Sequence, residues 1–362
     1  MKYVDEYRDP ALVGKLRDAI EKRARSIGRP LTIMEICGSH TQAIGRFGIR
    51  DLLPKGIRLI SGPGCPVCVT PVQDVDRAVF LAGIDGVVFA TFGDMLRVPG
   101  TGGASLQRAR AAGADVRVVS SAMDAVTAAE KNGGKTVVMM GIGFETTAPT
   151  VASAVKRAAK KGLANFCVFS VHKAVPPAIK ALLDDPALNI DGFICPGHVS
   201  TVIGADAYSM IPQAGRAAVI TGFEPVDILE GILMILTQFA EGKKEVAIQY
   251  ARGVSPSGNP LARALMEEVF VREASLWRGL GEIPESGLRL RDEYSAFDAL
   301  KRFTIPVLRS KEVGGCECGS ILKGILSPFE CPLFAVACTP HNPVGPCMVS
   351  SEGTCAAYYK YR

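Results

Sequence analysis

Short apolar runs and longer amphipathic stretches take turns along this chain. Eight runs of five to seven residues stand out: "LTIMEI" (31–36), "IRLIS" (57–61), "GVVFAT" (86–91), "VRVVS" (116–120), "TVVMMGI" (136–142), "NFCVFSV" (165–171), "DGFIC" (191–195) and "AAVIT" (217–221). Each is continuous rather than alternating, and the stretches between them have helical spacing. Buried strands separated by helices predict an α/β protein whose parallel sheets are covered on both faces. Taken in order, the runs fall into two sets of four divided at "KNGGK" (131–135), although no residue-level repeat relates the sets. The expected organisation is an N-terminal amphipathic helix over 1–28, ending at Gly28 and packing with the last domain; an α/β domain over 29–130; a second over 131–226; and a mixed third domain over 227–362, opening with a long helix near Asp227. A length of 362 residues suits two or three cores better than one.

Composition narrows the class. With 48% hydrophobic and 21% charged residues the chain is globular, and its net charge of +5 is dispersed, with no basic run interleaved with aromatics to suggest nucleic acid. The first 26 residues are charged throughout and do not resemble a signal peptide. The longest apolar stretch, "ILEGILMILTQFA" (228–240), contains Glu230 and is too short for a bilayer. The expectation is a cytoplasmic protein without membrane contact. Thiols stay reduced there, so 11 cysteines point to metal or redox chemistry instead of structural disulfides.

Three constellations could carry that chemistry. In "EICGSHTQ" (35–42), Cys37 follows a predicted strand, and Ser39 and Gln42 have the spacing of a capping box that would start a helix at Ser39. A thiol beside a helix N-terminus is expected to have a lowered pKa, with His40 within reach. In "SGPGCPVCVTP" (61–71), Cys65 and Cys68 sit on a turn stiffened by Pro66 after the next strand. Parallel sheets bind ligands at their carboxyl edge. Cys37, His40, Cys65 and Cys68 could therefore share a crevice, either as a structural zinc site or with Cys65 and Cys68 as a reversible disulfide and Cys37 as a soft ligand for another metal. The tail places six of the 11 cysteines between Cys316 and Cys355. Cys316, Cys331, Cys338 and Cys355 have wide spacings unlike zinc knuckles, which favours a [4Fe–4S] cluster; Cys318 and Cys347 are extra.

Other motifs weigh less. "GGKT" (133–136) precedes a strand and lacks the first glycine of a phosphate loop, and "GIGFETT" (141–147) is a partial fingerprint. Asp94, Arg97, Glu145, Thr146, His172 and His198 lie on loops after strands, where a site or a solvated or structural role is open; Cys167 reads as core.

Together "CGSHT" (37–41), "GPGCPVC" (62–68), "TFGDMLRVPG" (91–100), "GFETTAPT" (143–150), "PGHVS" (196–200) and "CMVSSEGTCAAYYKY" (347–361) resemble the HypD family of [NiFe] hydrogenase maturation factors, over nearly the whole chain. The resemblance implies two Rossmann-like domains and a third with a [4Fe–4S] cluster. It implies a scaffold, rather than a conventional turnover enzyme, on which the Fe(CN)2CO unit of the hydrogenase is built. The partners implied are the small chaperone HypC, which shares the iron, and HypE, which with HypF supplies cyanide. Carried across by motif, the iron-holding cysteine falls on Cys37 with His40 beside it, the thiol pair on Cys65 and Cys68, and the cluster ligands on Cys316, Cys331, Cys338 and Cys355, with Cys318 as the rival to Cys316. A cluster near a C-x-x-C pair could pass electrons to it by thiol–disulfide steps. The readings left beside this one are a stand-alone iron–sulfur disulfide oxidoreductase, a binding protein with structural zinc only, and, more remotely, a nucleotide-dependent oxidoreductase.

Overall fold

The computed structural model describes residues 5–361, and each of the eight apolar runs is a strand in it: β1 (Leu31–Glu35), β2 (Ile57–Ser61), β3 (Val87–Thr91), β4 (Asp115–Val118), β5 (Thr136–Gly141), β6 (Phe166–Ser170), β7 (Gly192–Pro196) and β8 (Ala217–Thr221). A ninth, β9 (Val246–Ile248), is a short half-buried edge strand that the apolar pattern does not reveal. All pairings among the nine are parallel. The strands do not group as consecutive fours, however. One sheet has the order β2-β1-β7-β8-β9 and the other β4-β3-β5-β6, so the whole second sheet is inserted between β2 and β7 of the first. The expected division at 131–135 falls inside the second sheet, where β5 pairs with β3 through Val87 and Thr136. Strands buried on both faces are uniformly apolar, so they carry no mark of which neighbour they join.

The chain passes between the sheets twice, after β2 through the Cys65–Cys68 turn and after β6 through the helix Val175–Asp184. The inner faces of both sheets contribute to one core, which also contains Cys65, Cys68 and the tail cysteines Cys318, Cys331, Cys338, Cys347 and Cys355. The outer face of the first sheet is covered by the helices Pro10–Ile27 and Pro225–Ala240. Asp9 caps the first of these, its Oδ1 accepting from the Ala11 amide at 2.8 Å; Pro10 occupies the first turn and Gly28 ends it in the left-handed region at φ 72°. The partner of this first helix is the helix Pro225–Ala240, which opens the region 227–362. The buried Leu16 and Ile20 face the apolar stripe of Ile228, Leu229 and Ile232 and the Leu31 and Ile33 side chains, the nearest large apolar surface. Burial of each such side chain is worth about 1.5–3 kcal/mol. The first four residues of the predicted helix lie outside the described residues.

Two features of the mixed region position the site. The antiparallel hairpin of β10 (Phe270–Trp277) and β11 (Gly281–Leu290) reaches out at Arg278–Leu280, where the Arg278 amide donates to Val69 O at 2.9 Å. A Cβ at Gly279, φ 79°, would lie 2.3 Å from Gly319 Cα, so the hairpin tip wedges against the helix Cys318–Leu322. The loops after β1 and β2 are also joined. The Gly38 amide donates to Gly64 O at 2.9 Å, and a Cβ on Gly64 would stand 2.2 Å from Cys37 N and 2.5 Å from its Cα.

That last contact leaves room for no side chain at position 64. Gly64→Ala is expected to destabilise the protein by about 1–3 kcal/mol in urea unfolding, whereas Gly56→Ala, whose added methyl meets nothing within 4 Å, stays within about 0.5 kcal/mol of the parent.

Candidate metal and thiol centre

The first sheet extends in opposite directions from β1, to β2 on one side and to β7 on the other. The loops that follow β1 and β7 therefore diverge at the carboxyl edge, the switch point where a parallel sheet offers a crevice. Cys37 lies directly after β1 and His198 directly after β7.

Cys37 is the extended residue that precedes the helix Gly38–Arg46. The helix thus begins one residue before the expected Ser39, and no side chain caps it. Ser39 does not form the capping box; its hydroxyl donates instead to Glu352 Oε1 at 2.7 Å, from the far end of the chain. The Cys37 sulfur accepts from the backbone amides of His40 and Ser39, and the Cys37 amide donates to Glu35 Oε2 at 3.0 Å. Glu35 is fully buried and also accepts from the Thr41 hydroxyl at 2.5 Å. The expectation of a lowered thiol pKa is corrected. Burial, with Glu352 and then Glu35 adding negative charge nearby, pushes the Cys37 thiol up to about 12 despite the amide donors. Loss of water outweighs the helix end when the sulfur is shut inside.

His40 is buried with its ring turned toward the loop after β8. Nε2 lies 2.9 Å from Gly222 O and 2.9 Å from Thr221 Oγ1. A carbonyl only accepts, so the proton is on Nε2, and the bare Nδ1 is buried without a partner. Burial lowers the ring's pKa to about 4. Phe223 is stacked between His40, at 4.7 Å between centroids, and the exposed His198, at 4.0 Å. The turn that carries Phe223 is held by Asp227, which pairs with Arg252 at 2.5 Å, and by Glu224, which accepts from Arg8 at 2.5 and 2.8 Å.

Cys65 precedes the one-turn helix Pro66–Val69, and its sulfur accepts from the Cys68 amide at 3.4 Å. Cys68 has no exposed surface. Its thiol meets Cys65 on one side and Cys347 on the other. Cys347 Sγ in turn lies 2.7 Å from Cys318 Sγ, and Cys318 contacts Cys316. Five sulfurs thus run in an unbroken line from the C-x-x-C turn to the tail. The two cysteines that look superfluous by spacing, Cys318 and Cys347, are the middle of it.

The tail cysteines line one cavity with Ile321, Leu333, Phe334 and Met348. Cys316, Cys331, Cys338 and Cys355, the four expected as cluster ligands, are all among its lining residues. An all-thiol donor set in an apolar enclosure fits an iron–sulfur cluster in its chemistry. Among the described residues no three His, Cys, Asp or Glu side chains form a ready-made site for a single metal ion. Cys37, His40, Cys65 and Cys68 follow that rule: the His40 ring faces Gly222 and the Cys68 thiol faces Cys347, so the four do not converge as a zinc site requires. The tail is anchored over the crevice by Ser350 Oγ, which donates to Asp94 Oδ2 at 2.6 Å, and by Arg97 Nη1, which donates to Pro340 O at 3.0 Å. A Cβ on Gly38 would lie 2.4 Å from Glu352 Cβ, so this loop presses directly on the start of the Cys37 helix.

Thr146 is exposed, whereas Glu145, His172 and Cys167 have structural roles. Both Glu145 oxygens accept from the Val175 amide, at 3.0 and 3.3 Å, capping the helix Val175–Asp184 from a neighbouring loop. His172 Nδ1 is 3.1 Å from Ser170 Oγ, whose proton goes to Leu288 O. Cys167 is buried in mid-strand. Sequence reasoning missed Glu35, Phe223 and Glu352. Phe223 and Glu352 lie in "TGFEP" and "SSEGTC", and only a loop after a strand and a tail glycine marked them.

The HypD family model, described as the hydrogenase formation hypA family, matches residues 11–362. The hydrogenase maturation factor HypD of Rhodobacter capsulatus is 48% identical over all of this chain and 98% of its own length. That of Azotobacter vinelandii is 49% identical over all of this chain and 97% of its own. That of Escherichia coli K12 is 45% identical over all of this chain and 98% of its own.

The buried titratable groups set a pH dependence. Burial raises the Glu145 carboxyl from 4.5 to about 7, so its contribution is full below the ordinary carboxyl value and is lost as pH rises through 7. Burial lowers His172 from 6.5 to about 3, so its contribution is present above the ordinary imidazole value and is lost as pH falls through 3. Glu145→Gln removes the first slope. Urea unfolding is expected to show that the variant loses less stability than the parent between about pH 5 and 8, by on the order of 2–3 kcal/mol.

Proposed function

The chain belongs to the HypD family of hydrogenase maturation factors, and from that premise we propose that it is a scaffold for assembly of an Fe(CN)2CO unit, held at Cys37 and served by an internal line of thiols. The observation that carries this reading is the run of sulfurs Cys65, Cys68, Cys347, Cys318 and Cys316, which starts on the loop packed against Cys37 and ends in the tail cavity.

The iron unit is the cargo. Iron carrying CN⁻ and CO needs a soft, electron-rich ligand, which a thiolate supplies. The raised pKa of Cys37 keeps its proton in place until a metal displaces it, so binding of the unit and loss of the proton are one event. The amides of Ser39 and His40 then stabilise the sulfur's charge, and Glu35 fixes the backbone beneath it. His40 presents a bare Nδ1, either to the iron or to a group beside it. Cys316, Cys331, Cys338 and Cys355 would hold a [4Fe–4S] cluster, which supplies electrons one at a time. Cys318 and Cys347 stand where a thiol–disulfide exchange would have to pass to reach Cys68.

The small chaperone HypC would share the iron through a thiolate of its own at the crevice mouth near Cys37. HypE, charged through HypF, would deliver cyanide there, in the cytoplasm. Among the described residues no helix is long and apolar enough to cross a membrane. The stand-alone disulfide oxidoreductase is disfavoured by burial. Cys65 is 3% exposed and Cys68 not at all, so a partner's disulfide has no access to them.

The protein is to be purified without oxygen, alone and with HypC, and studied by infrared spectroscopy across the CN⁻ and CO stretching region, with iron, sulfide and zinc assayed. The expected result is a set of bands that vanish in Cys37→Ala while about four irons per chain are retained. Zinc with neither bands nor iron would sink the proposal. The relay has its own test: the Cys65→Ser, Cys68→Ser double variant keeps its iron and sulfide but yields no complete iron unit. Full assembly by that variant would remove the thiol pair from the mechanism.

A further inference from the structure

A cleft of about 600 Å³ opens between the loop 97–111 and the tail segment 341–344, away from the Cys37 crevice. Arg97, Arg108 and His341 line it together with Gly102 and Gly103, and none of the lining residues is acidic. Carboxylates on the adjoining segments are already engaged, Glu312 beside Val313 pairing with Arg278 at 3.2 Å. Asp76 accepts from the Thr101 amide at 2.8 Å and its hydroxyl at 2.6 Å, and Asp94 accepts from Ser350. Arg108 is exposed, lies beside Gly103 and pairs with no carboxylate among the described residues. His341 and Gln107 are exposed at the rim. The surface left over is cationic and concave.

Its inner wall is what makes it more than a basic patch. The segment that lines the cleft is the one that closes the cysteine cavity. The Val344 amide donates to Cys338 Sγ at 3.3 Å, and a Cβ on the next residue, Gly345, would lie 2.7 Å from Cys316 Sγ. Arg97 fixes this wall by donating to Pro340 O, and more weakly to Val349 O. Cys316 is the one tail cysteine that is not fully buried. A partner seated in the cleft is therefore separated from the Cys338 sulfur by a single backbone residue.

We propose that this cleft is the docking site of an acidic, one-electron carrier protein, through which electrons enter the cysteine cavity. The inference rests on the redox reading of the thiol line given above. Reduction of a Cys65–Cys68 disulfide breaks one S–S bond and consumes two electrons and two protons. Two reduced carriers, bound in turn, are each oxidised by one electron; the protons come from solvent and end on the two sulfurs. Charge complementarity selects the carrier, because a positive cleft speeds the encounter with a negative partner and repels a positive one.

The test is binding and reduction measured on the same anaerobic protein, with a plant-type [2Fe–2S] ferredoxin as the acidic carrier and cytochrome c as the basic control. Ferredoxin is expected to bind, to weaken as salt rises from about 20 to 200 mM, and to weaken about tenfold or more in the Arg108→Glu, His341→Glu double variant. Lys160→Glu, at an exposed position on the helix Ala148–Lys160, should leave binding unchanged. Ferredoxin-dependent formation of the Cys65 and Cys68 thiols should slow in the double variant, while formation by dithionite does not. Binding that ignores salt and the double substitution, or tighter binding of cytochrome c, overturns the proposal. Binding needs no iron in the protein, so absence of iron and sulfide would defeat the redox reading while leaving the docking surface to be decided by the binding data.

Discussion

The backbone of Gly64 lies against the backbone of Cys37 with no space for even a methyl group between them. Two loops that follow adjacent parallel strands are drawn into one by that contact and by the hydrogen bond from Gly38 to Gly64. Its consequence reaches well past local packing. The C-x-x-C turn begins at the next residue, so the thiol pair is held at a set distance from the Cys37 loop by main chain alone, and the surrounding side chains have only to fill space around it. Pro66 then stiffens the step into the turn. A side chain at position 64 would separate the two halves of the candidate centre before it altered any chemical group in either.

The second requirement is that distant segments arrive at the same edge. The chain leaves the first sheet after β2 and returns only at β7, and the Cys65–Cys68 turn is the outward crossing. The hairpin tip, bonded to Val69 and wedged against Gly319, sets the tail helix beside that turn. Ser350 on Asp94 and Glu352 on Ser39 tie the far end of the chain to loops after β3 and β1. The tail thus reaches both sheets at once. This is how Cys347, 279 positions from Cys68 in the chain, comes into contact with it.

Burial governs the protonation of Cys37 and His40. Cys37 is pushed up and His40 down by the same cause, the expense of holding a charge away from water. Glu35 and Glu145 are pushed up to about 7 although each accepts backbone hydrogen bonds. At neutral pH the Cys37 thiol and the His40 ring are therefore uncharged and inert by themselves, while the two carboxyls stand near half ionisation. A thiol so placed gives up its proton to a metal or to disulfide formation, not to bulk water. That is a physical reason for a dry centre to be rich in sulfur.

Local pattern was enough for eight of the strands and the first helix. The eight apolar runs are strands because uninterrupted β-branched and apolar stretches bounded by Gly, Pro and Asn have few other stable states, and Asp9, Pro10 and Gly28 delimit the first helix for local stereochemical reasons. Motif spacing also drew attention to Cys37, Cys65, Cys68 and the tail cysteines. Which strand joins which was not legible, because a strand buried on both faces looks the same beside any neighbour. The start of the helix at Gly38 and not Ser39 was settled by Glu352, which took the hydroxyl that local rules assign to a cap. The raised Cys37 pKa follows from how completely the crevice is covered, a property of the tail and not of the motif. The places of Cys318 and Cys347 in the line of sulfurs, and of Phe223 between two histidines, come from contacts between segments 25 to 279 positions apart, and only the packed tertiary structure decides those.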